Sequence, residues 1–146
     1  RVLTAHLQTT SITAAEQEYI SHMKFVSDTV REEKFRNMYH KLGTNYRIRA
    51  AQAKEIRRAV EQSPHPIIVC GDFNDTPLSY TYHAIARGLN DSYKKVGYGS
   101  SYTYKSFFNL LRIDYILYSD ELKALDYVSP LFDCSDHKPV AVTFEL

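Results

Sequence analysis

One stretch, residues 66–77 (Pro-Ile-Ile-Val-Cys-Gly-Asp-Phe-Asn-Asp-Thr-Pro), constrains the fold more than any other part of the chain. Its first half, from Ile67 to Cys70, is an apolar and largely β-branched run, which is typical of a strand buried on both faces. Gly71 follows, and its missing side chain favours a turn or the close approach of another backbone. The chain is therefore expected to be organised around a buried strand that runs into a polar elbow.

The polar residues of this elbow form the first candidate functional group. Asp72 and Asn74 are two positions apart, so in an extended chain their side chains point to one face and Phe73 points to the other. A carboxylate and a carboxamide at the end of a rigid strand suit a hard cation and a phosphate oxygen. Asn, Asp and Pro are also ordinary turn residues, so this segment taken by itself is equally compatible with a structural turn.

Composition is typical of a single globular domain. The chain has 146 residues, of which 44% are hydrophobic, and its net charge of +1 does not favour a strong nucleic-acid binder. No apolar run approaches the roughly 20 residues of a membrane span, so we predict no membrane contact for this segment. The two cysteines do not form a disulfide framework. Cys70 is predicted to be a small core residue. A role as nucleophile for Cys134 is not favoured.

The first half of the chain predicts one strand and a long helical region. Residues 1–8 alternate as a strand, with His6 on the polar-leaning face near its end. Residues 13–42 have helical composition and a capping-box start, and a solvated helix or a flexible excursion is favoured over a substrate-binding role. Gly43-Thr44-Asn45 is expected to break this helix, and a second helix is predicted from Tyr46 to Gln62.

The second half predicts a short helix and then strands. Ser79 can cap a helix that reaches Arg87 and stops at Gly88. Residues 89–108 contain many Tyr and Ser with two Gly, are predicted to be loop-rich, and are the segment where a substrate-facing loop is most expected. Three more strands are predicted at residues 112–118, 121–128 and 139–146. This order of elements predicts an α/β fold.

Four polar features lie at the ends or starts of predicted strands. A single such group is usually hydrogen-bonded within the scaffold, but several that converge from one α/β sheet indicate a hydrolytic site. Carboxylate and carboxamide ligands favour Mg²⁺ or Mn²⁺ over Zn²⁺. An imidazole oriented by a carboxylate is the natural base for a nucleophilic water, so the groups suit metal-assisted phosphodiester hydrolysis. The four features are His6, Asp72 with Asn74, Asp114, and Asp136 with His137.

Four short motifs around these residues resemble, in order, a known superfamily. They are Thr4-Ala5-His6-Leu7, Gly71-Asp72-Phe73-Asn74, Arg112-Ile113-Asp114-Tyr115-Ile116-Leu117 and Ser135-Asp136-His137. Together they resemble the C-terminal half of the endonuclease/exonuclease/phosphatase superfamily, the deoxyribonuclease I-like fold. The resemblance covers nearly all of the chain apart from residues 13–42. It implies half of a four-layer α/β/β/α sandwich with mixed or mainly antiparallel sheets.

The same resemblance implies a role for each polar residue. His137 would be the general base that activates water, and Asp114 would hold it in the right tautomer. The residues alone do not distinguish His137 from His6 in this respect. The remaining implied roles are metal binding by Asp136, metal binding or positioning of the nucleophile by Asp72, contact with a phosphate oxygen by Asn74, and stabilisation or protonation of the phosphate by His6.

The N-terminal half of the superfamily domain has no counterpart in residues 1–146. That half supplies a metal-binding Glu, an Asn, and the acidic partner expected for a histidine like His6. We therefore expect the chain to be a partial domain that is catalytically poor or inactive alone, with an apolar sheet face that drives self-association or pairing.

The resemblance leaves the substrate open, because this fold hosts several chemistries. The motifs at residues 71–79 and 114–119 favour a bacterial nuclease or phosphodiesterase that acts on a phosphate ester, with nucleic acid as one option. Residues 135–140 are similar to inositol polyphosphate 5-phosphatases, so a phosphoinositide or phospholipid esterase is an alternative. A non-catalytic binding module that kept the fold is another. A cytoplasmic location is favoured for the domain, although an upstream region could anchor or target it.

Overall fold

A computed structural model of the chain describes residues 1–10, 28–105, 110–131 and 133–145. The predicted helix start at Thr13 lies outside these residues. The described elements in chain order are β1 (Val2–His6), α1 (Asp28–Glu61), β2 (Ile68–Asp72), α2 (Tyr80–Ala86), β3 (Asn90–Asp91), α3 (Ser92–Val96), β4 (Asp114–Tyr118), β5 (Lys123–Val128) and β6 (Ala141–Glu145).

The strands form two sheets. The first has the order β1-β2-β4-β3, in which β1 and β2 are parallel and the other neighbours are antiparallel. The second is the antiparallel pair β5-β6. The predicted mixed α/β fold, with mixed and antiparallel sheets, is confirmed.

The first sheet is covered on both faces, as the apolar run of β2 predicts. Val69 of β2 packs with Ala53 of α1 and Ile85 of α2 in a core cluster on one face. The next residue toward the N-terminus, Ile68, points the other way and packs in a second cluster with Phe144 of β6. Helices therefore form one layer, the four-stranded sheet the next, and the two-stranded sheet a third.

Gly71 lies where the backbone of β1 leaves no room for a side chain on β2. It pairs with Ala5 across the parallel ladder, and its φ is 140°. A Cβ atom at this position would lie 1.9 Å from the Ala5 carbonyl oxygen. The predicted close approach of another backbone is therefore confirmed, and glycine is required here.

The predicted helix break at Gly43-Thr44-Asn45 is wrong, because α1 runs without interruption from Asp28 to Glu61. A glycine inside a helix costs only about 1 kcal/mol, which good helix formers on both sides can offset. Asn45 also contributes, because its buried side chain donates to the Thr10 carbonyl oxygen at 3.1 Å. A tertiary contact thus overrides the local signal.

The segment predicted to be loop-rich, residues 89–108, contains two short elements, β3 and α3, and its residues 106–108 lie outside the described part of the chain. Asp91 caps α3, and its side chain accepts the backbone N–H of Tyr93 at 3.0 Å. The three strands predicted after the loop are present but shorter, as β4, β5 and β6. No helix among the described residues is both long enough and apolar enough to cross a membrane.

Candidate active site

Three of the predicted site residues lie side by side across the first sheet. The strand register pairs His6 with Asp72, and Asp72 with Asp114. Each of the three lies at the end of β1 or β2 or at the start of the antiparallel β4, so all three meet at one edge. The backbone ladder itself brings these residues together.

His137 joins this row from a loop. Its backbone bridges to Tyr104, whose ring centroid lies 4.9 Å from the imidazole. His137 Nδ1 lies 2.9 Å from Asp114 Oδ2. A carboxylate can only accept, so Nδ1 carries the proton and Nε2 has the free lone pair. That free nitrogen faces Asp72 Oδ2 at 4.0 Å.

Asn74 meets Asp72 through a turn, which corrects the expected extended geometry. β2 ends at Asp72, and Asn74 has a φ of 50°, a left-handed conformation that Asn tolerates well. Its backbone N–H donates to Asp72 Oδ1 at 2.7 Å, and its amide Nδ2 donates to Asp72 Oδ2 at 3.0 Å and to the Leu7 carbonyl at 3.1 Å. Phe73 turns into the core and is fully buried.

These bonds bear on the role that the resemblance implies for Asn74. Both hydrogens of its Nδ2 are engaged, one by Asp72 and one by Leu7. A phosphate oxygen could replace either acceptor only by breaking one of these bonds. In this structure Asn74 fixes the Asp72 carboxylate.

The Asp72 charge is incompletely compensated. Burial raises the pKa of the Asp72 carboxyl, and the nearby Asp114 carboxylate acts in the same direction. The Asn74 N–H and the imidazoles of His137 and His6 lower the pKa without cancelling the rise. A carboxylate with a raised pKa is stabilised when it binds a proton or a cation.

Two other predicted residues lie at the border of the site. His6 Nε2 is 3.6 Å from Asp72 Oδ2, and its side chain is 74% exposed. Asp136 is exposed and lines the same cavity. Cys134 is exposed nearby, while Cys70 is half-buried in β2 and burial raises the pKa of its thiol.

The group of residues that could hold a metal ion shares Asp72 with the predicted metal ligands but does not include Asp136. Asp72, Asp114 and His137 each offer one ligand atom, and these atoms all lie within 4.8 Å of one another. The two carboxylates fit a hard divalent cation, whereas the free nitrogen of the His137 imidazole can serve as a ligand or as a base but not as both at once. Asp136 is not part of this group, although it lines the same cavity.

The cavity at the site has a volume of about 800 Å³ and extends toward α1. Sequence reasoning missed its far wall, where Tyr46 and Arg49 of α1 face Asp75. Arg49 is 2% exposed, and its Nε lies 3.2 Å from Asp75 Oδ2. The Tyr46 hydroxyl donates to Asp75 Oδ1 at 3.3 Å. Only Asp75 carried a signal, as a neighbour of the Asp72 motif, because nothing in a helical sequence marks Arg49 as its partner.

Comparison with known proteins identifies the family. Residues 16–137 match the sequence profile described as the endonuclease/exonuclease/phosphatase family. The chain belongs to this family. The superfamily resemblance of the four motifs is thereby confirmed, and the site lies in a family of hydrolases. No match was found among curated proteins.

Solved structures give the same result for the fold of this family member. An endonuclease/exonuclease/phosphatase from Bacteroides vulgatus is 26% identical, with a TM-score of 0.60 over 69% of this chain and 45% of its own. The catalytic domain of human Nocturnin, solved with a bound sulfate anion, is 27% identical, with a TM-score of 0.50 over 67% of this chain and 42% of its own. A mannosyl-6-phosphatase from Bacteroides thetaiotaomicron is 24% identical, with a TM-score of 0.53 over 68% of this chain and 46% of its own, a likeness of fold alone. The matched part thus spans less than half of each of these chains.

Proposed function

We propose that this chain carries part of the active site of a metal-dependent phosphodiester hydrolase of the nuclease or phosphodiesterase type. The arrangement of Asp114, His137 and Asp72 carries the proposal. Asp114 fixes the imidazole through Nδ1 at 2.9 Å, and the free Nε2 faces Asp72 across 4.0 Å. A water molecule between Nε2 and the Asp72 carboxylate has a base on one side and an orienting acceptor on the other.

The proposed step needs no covalent enzyme intermediate. The water oxygen forms a bond to phosphorus, the water proton passes to His137 Nε2, and the ester P–O bond breaks. Asp114 stabilises the resulting imidazolium, as an ionised carboxylate beside Nδ1 does in other hydrolytic sites. His6 is placed at the exposed side of Asp72, where it can donate a proton toward the departing oxygen.

The charge of the cavity supports a cation requirement. Four carboxylates line it together with the imidazoles of His6 and His137, those of Asp72, Asp75, Asp114 and Asp136. Arg49 offers no net compensation, because Asp75 neutralises it. A phosphate would meet a negative surface, and a bound Mg²⁺ or Mn²⁺ would supply the positive charge that the phosphoryl oxygens need.

The same charge pattern favours one substrate class over the other. Among the described residues that line the cavity, Arg49 is the one Arg or Lys side chain, and it is paired. A polyphosphorylated headgroup would need several unpaired cationic side chains for its further phosphates. The site therefore fits a phosphodiester with neutral substituents better than a phosphoinositide. The sulfate bound by the similar Nocturnin domain is a tetrahedral anion like phosphate, which is consistent with a phosphate-ester substrate of either class.

Hydrolysis and metal binding together test the proposal. The similar structures extend well beyond their matched part, so turnover is measured in the longest natural form of the protein that contains residues 1–146. We expect Mg²⁺- or Mn²⁺-dependent hydrolysis of bis-p-nitrophenyl phosphate that is lost with EDTA and in Asp72→Asn. Inositol polyphosphate should be a poorer substrate than a thymidine phosphodiester. Absence of both hydrolysis and calorimetric metal binding would instead support a binding module.

A further inference from the structure

One threonine outside every sequence motif bonds to the backbone of Asp114 and to the backbone of Lys138, the residue that follows His137. Thr103 is fully buried, and its Oγ1 accepts the backbone N–H of Ile113 at 3.0 Å and of Asp114 at 3.1 Å. Its carbonyl oxygen accepts the backbone N–H of Lys138 at 2.7 Å. Its own N–H donates to the Leu111 carbonyl at 2.9 Å. The residue thus uses its side chain and its whole backbone in hydrogen bonds.

The hydroxyl and the carbonyl of Thr103 act on different members of the Asp114–His137 pair. The Thr103 hydroxyl fixes the backbone from which the Asp114 side chain leaves. The Thr103 carbonyl fixes the residue that follows His137, and a second backbone bond, from Lys105 N–H to the Asp136 carbonyl at 2.8 Å, fixes the residue before it. Together with the backbone bridge between Tyr104 and His137, these bonds hold the loop that carries His137 against the sheet that carries Asp114.

We propose that Thr103 is a positioning residue that sets the geometry of the Asp114–His137 pair. An effect of Thr103 on catalysis depends on the proposed function. Its effect on the geometry of the pair depends only on the hydrogen bonds of Thr103. Removal of the hydroxyl leaves two adjacent backbone N–H groups unpaired at the start of β4, and a buried unpaired N–H is unfavourable enough to move the segment. The imidazole then loses its fixed acceptor.

Isosteric substitution separates this role from packing. Thr103→Val keeps the shape and removes the hydroxyl, whereas Thr103→Ser keeps the hydroxyl. Thr81→Val is the matched control, because Thr81 is also fully buried but its Oγ1 has no hydrogen-bond partner among the described residues. The readouts are the ¹⁵N shifts of the His137 ring at fixed pH in EDTA, amide hydrogen exchange at Ile113 and Asp114, and steady-state kinetics with the metal ion.

We expect Thr103→Val to lower kcat about 10- to 100-fold with little change in KM, a range typical of groups that orient a reacting residue. The His137 ring should lose its single Nδ1–H tautomer, and the two amides should exchange faster. Thr103→Ser should restore all three readouts, and Thr81→Val should leave them unchanged. If Thr103→Val does not fold, Thr103→Ser is compared with Thr103→Ala, a pair that differs by the hydroxyl alone.

An unchanged tautomer and an unchanged kcat in Thr103→Val would overturn the inference. Equal losses in Thr81→Val would also overturn it, because they would show a general packing effect. If the wild-type protein hydrolyses no phosphodiester with any divalent cation, the proposed function fails. The tautomer and exchange data would still decide whether Thr103 positions the pair.

Discussion

Two aspartates on the first sheet, Asp91 and Asp72, differ in how far neighbouring side chains compensate their negative charge. Asp91 accepts two N–H bonds from Arg112 at 2.8 and 2.9 Å, the Tyr82 hydroxyl at 2.7 Å and the Tyr93 N–H at 3.0 Å. Both Asp91 and Arg112 are about 95% buried. Asp72 instead accepts only from Asn74 among the described residues, and no permanent cation balances its charge.

The pKa shifts follow this difference. Burial acts to raise the pKa of Asp91, but the hydrogen bonds from Arg112 and Tyr82 outweigh it and hold that pKa below its usual range. Burial also raises the pKa of Asp72, and there the remaining contacts do not offset it. A fully compensated carboxylate stabilises the scaffold, whereas an under-compensated one is available for a proton, a cation or a substrate.

The largest expected effect concerns rate. His137→Ala should lower phosphodiester hydrolysis by about 10²- to 10⁴-fold, because it removes the proposed base. Its free energy of unfolding in urea should change by less than about 1 kcal/mol, since a partly exposed side chain contributes little packing. His65→Ala, at an exposed loop histidine, is the control and should affect neither quantity. Equal rate losses in both variants would remove the catalytic assignment.

The opposite pattern is expected at the other cluster. Arg112→Met should lower the free energy of unfolding by about 3–5 kcal/mol, because it leaves the Asp91 carboxylate buried without its partner. Urea denaturation measures this loss. Arg58→Met, which breaks an exposed pair with Glu55, should lower it by no more than about 1 kcal/mol. A similar small loss at Arg112 would mean that Asp91 finds compensation elsewhere.

The two aspartates should also give stability opposite pH dependences in metal-free buffer. The folded pKa of Asp72 lies above its unfolded value of about 3.9, so its contribution favours folding at low pH and is lost as pH rises through the folded pKa. Asp72→Asn should therefore gain stability relative to wild type as pH rises from about 3.9 through the folded pKa of Asp72. Asp91 has a lowered folded pKa, so its contribution is present above pH about 3.9 and is lost as pH falls through the folded pKa.

Asp91→Asn should accordingly lose stability relative to wild type as pH rises from the folded pKa of Asp91 to about 3.9. Urea titrations at a series of pH values, with EDTA present, measure both differences. The same sign of pH dependence in both variants would contradict the contrast between the two clusters.

The smallest effect is expected where a buried hydroxyl has no partner. Thr81→Val should raise the free energy of unfolding by up to about 1 kcal/mol, because it removes an unpaired polar atom and keeps the shape. Thermal or urea unfolding measures the change. A clear loss of stability would show that the Thr81 hydroxyl is satisfied after all.

The sequence predicts well those features that depend on local order. The buried strand before Asp72, the required glycine at position 71 and the cap of α2 at Ser79 each depend on neighbours a few residues away. His6, Asp72 and Asp114 could be predicted as a set because each ends or begins an apolar strand. Their roles in the reaction stay predictions.

Features that depend on distant partners could not be predicted. Gly43 indicates a break locally, but α1 continues through it. Asp91 and Arg112 are 21 residues apart, and nothing in either neighbourhood marks them as a pair. Thr103 is one polar residue in a segment rich in Tyr and Ser, and only the folded chain shows which hydroxyl faces the start of β4.

The register that aligns His6, Asp72 and Asp114 has a consequence for how such a protein can diversify. Neighbouring strands are about 4.8 Å apart whatever the length of the connections between them. Insertions between β2 and β4, such as those that could reshape the cavity, would leave these three positions aligned. His137 is the exception, because it lies on a loop. Divergence in this chain should therefore be freest where loops meet the substrate and most restricted in the segment that holds the histidine to the sheet.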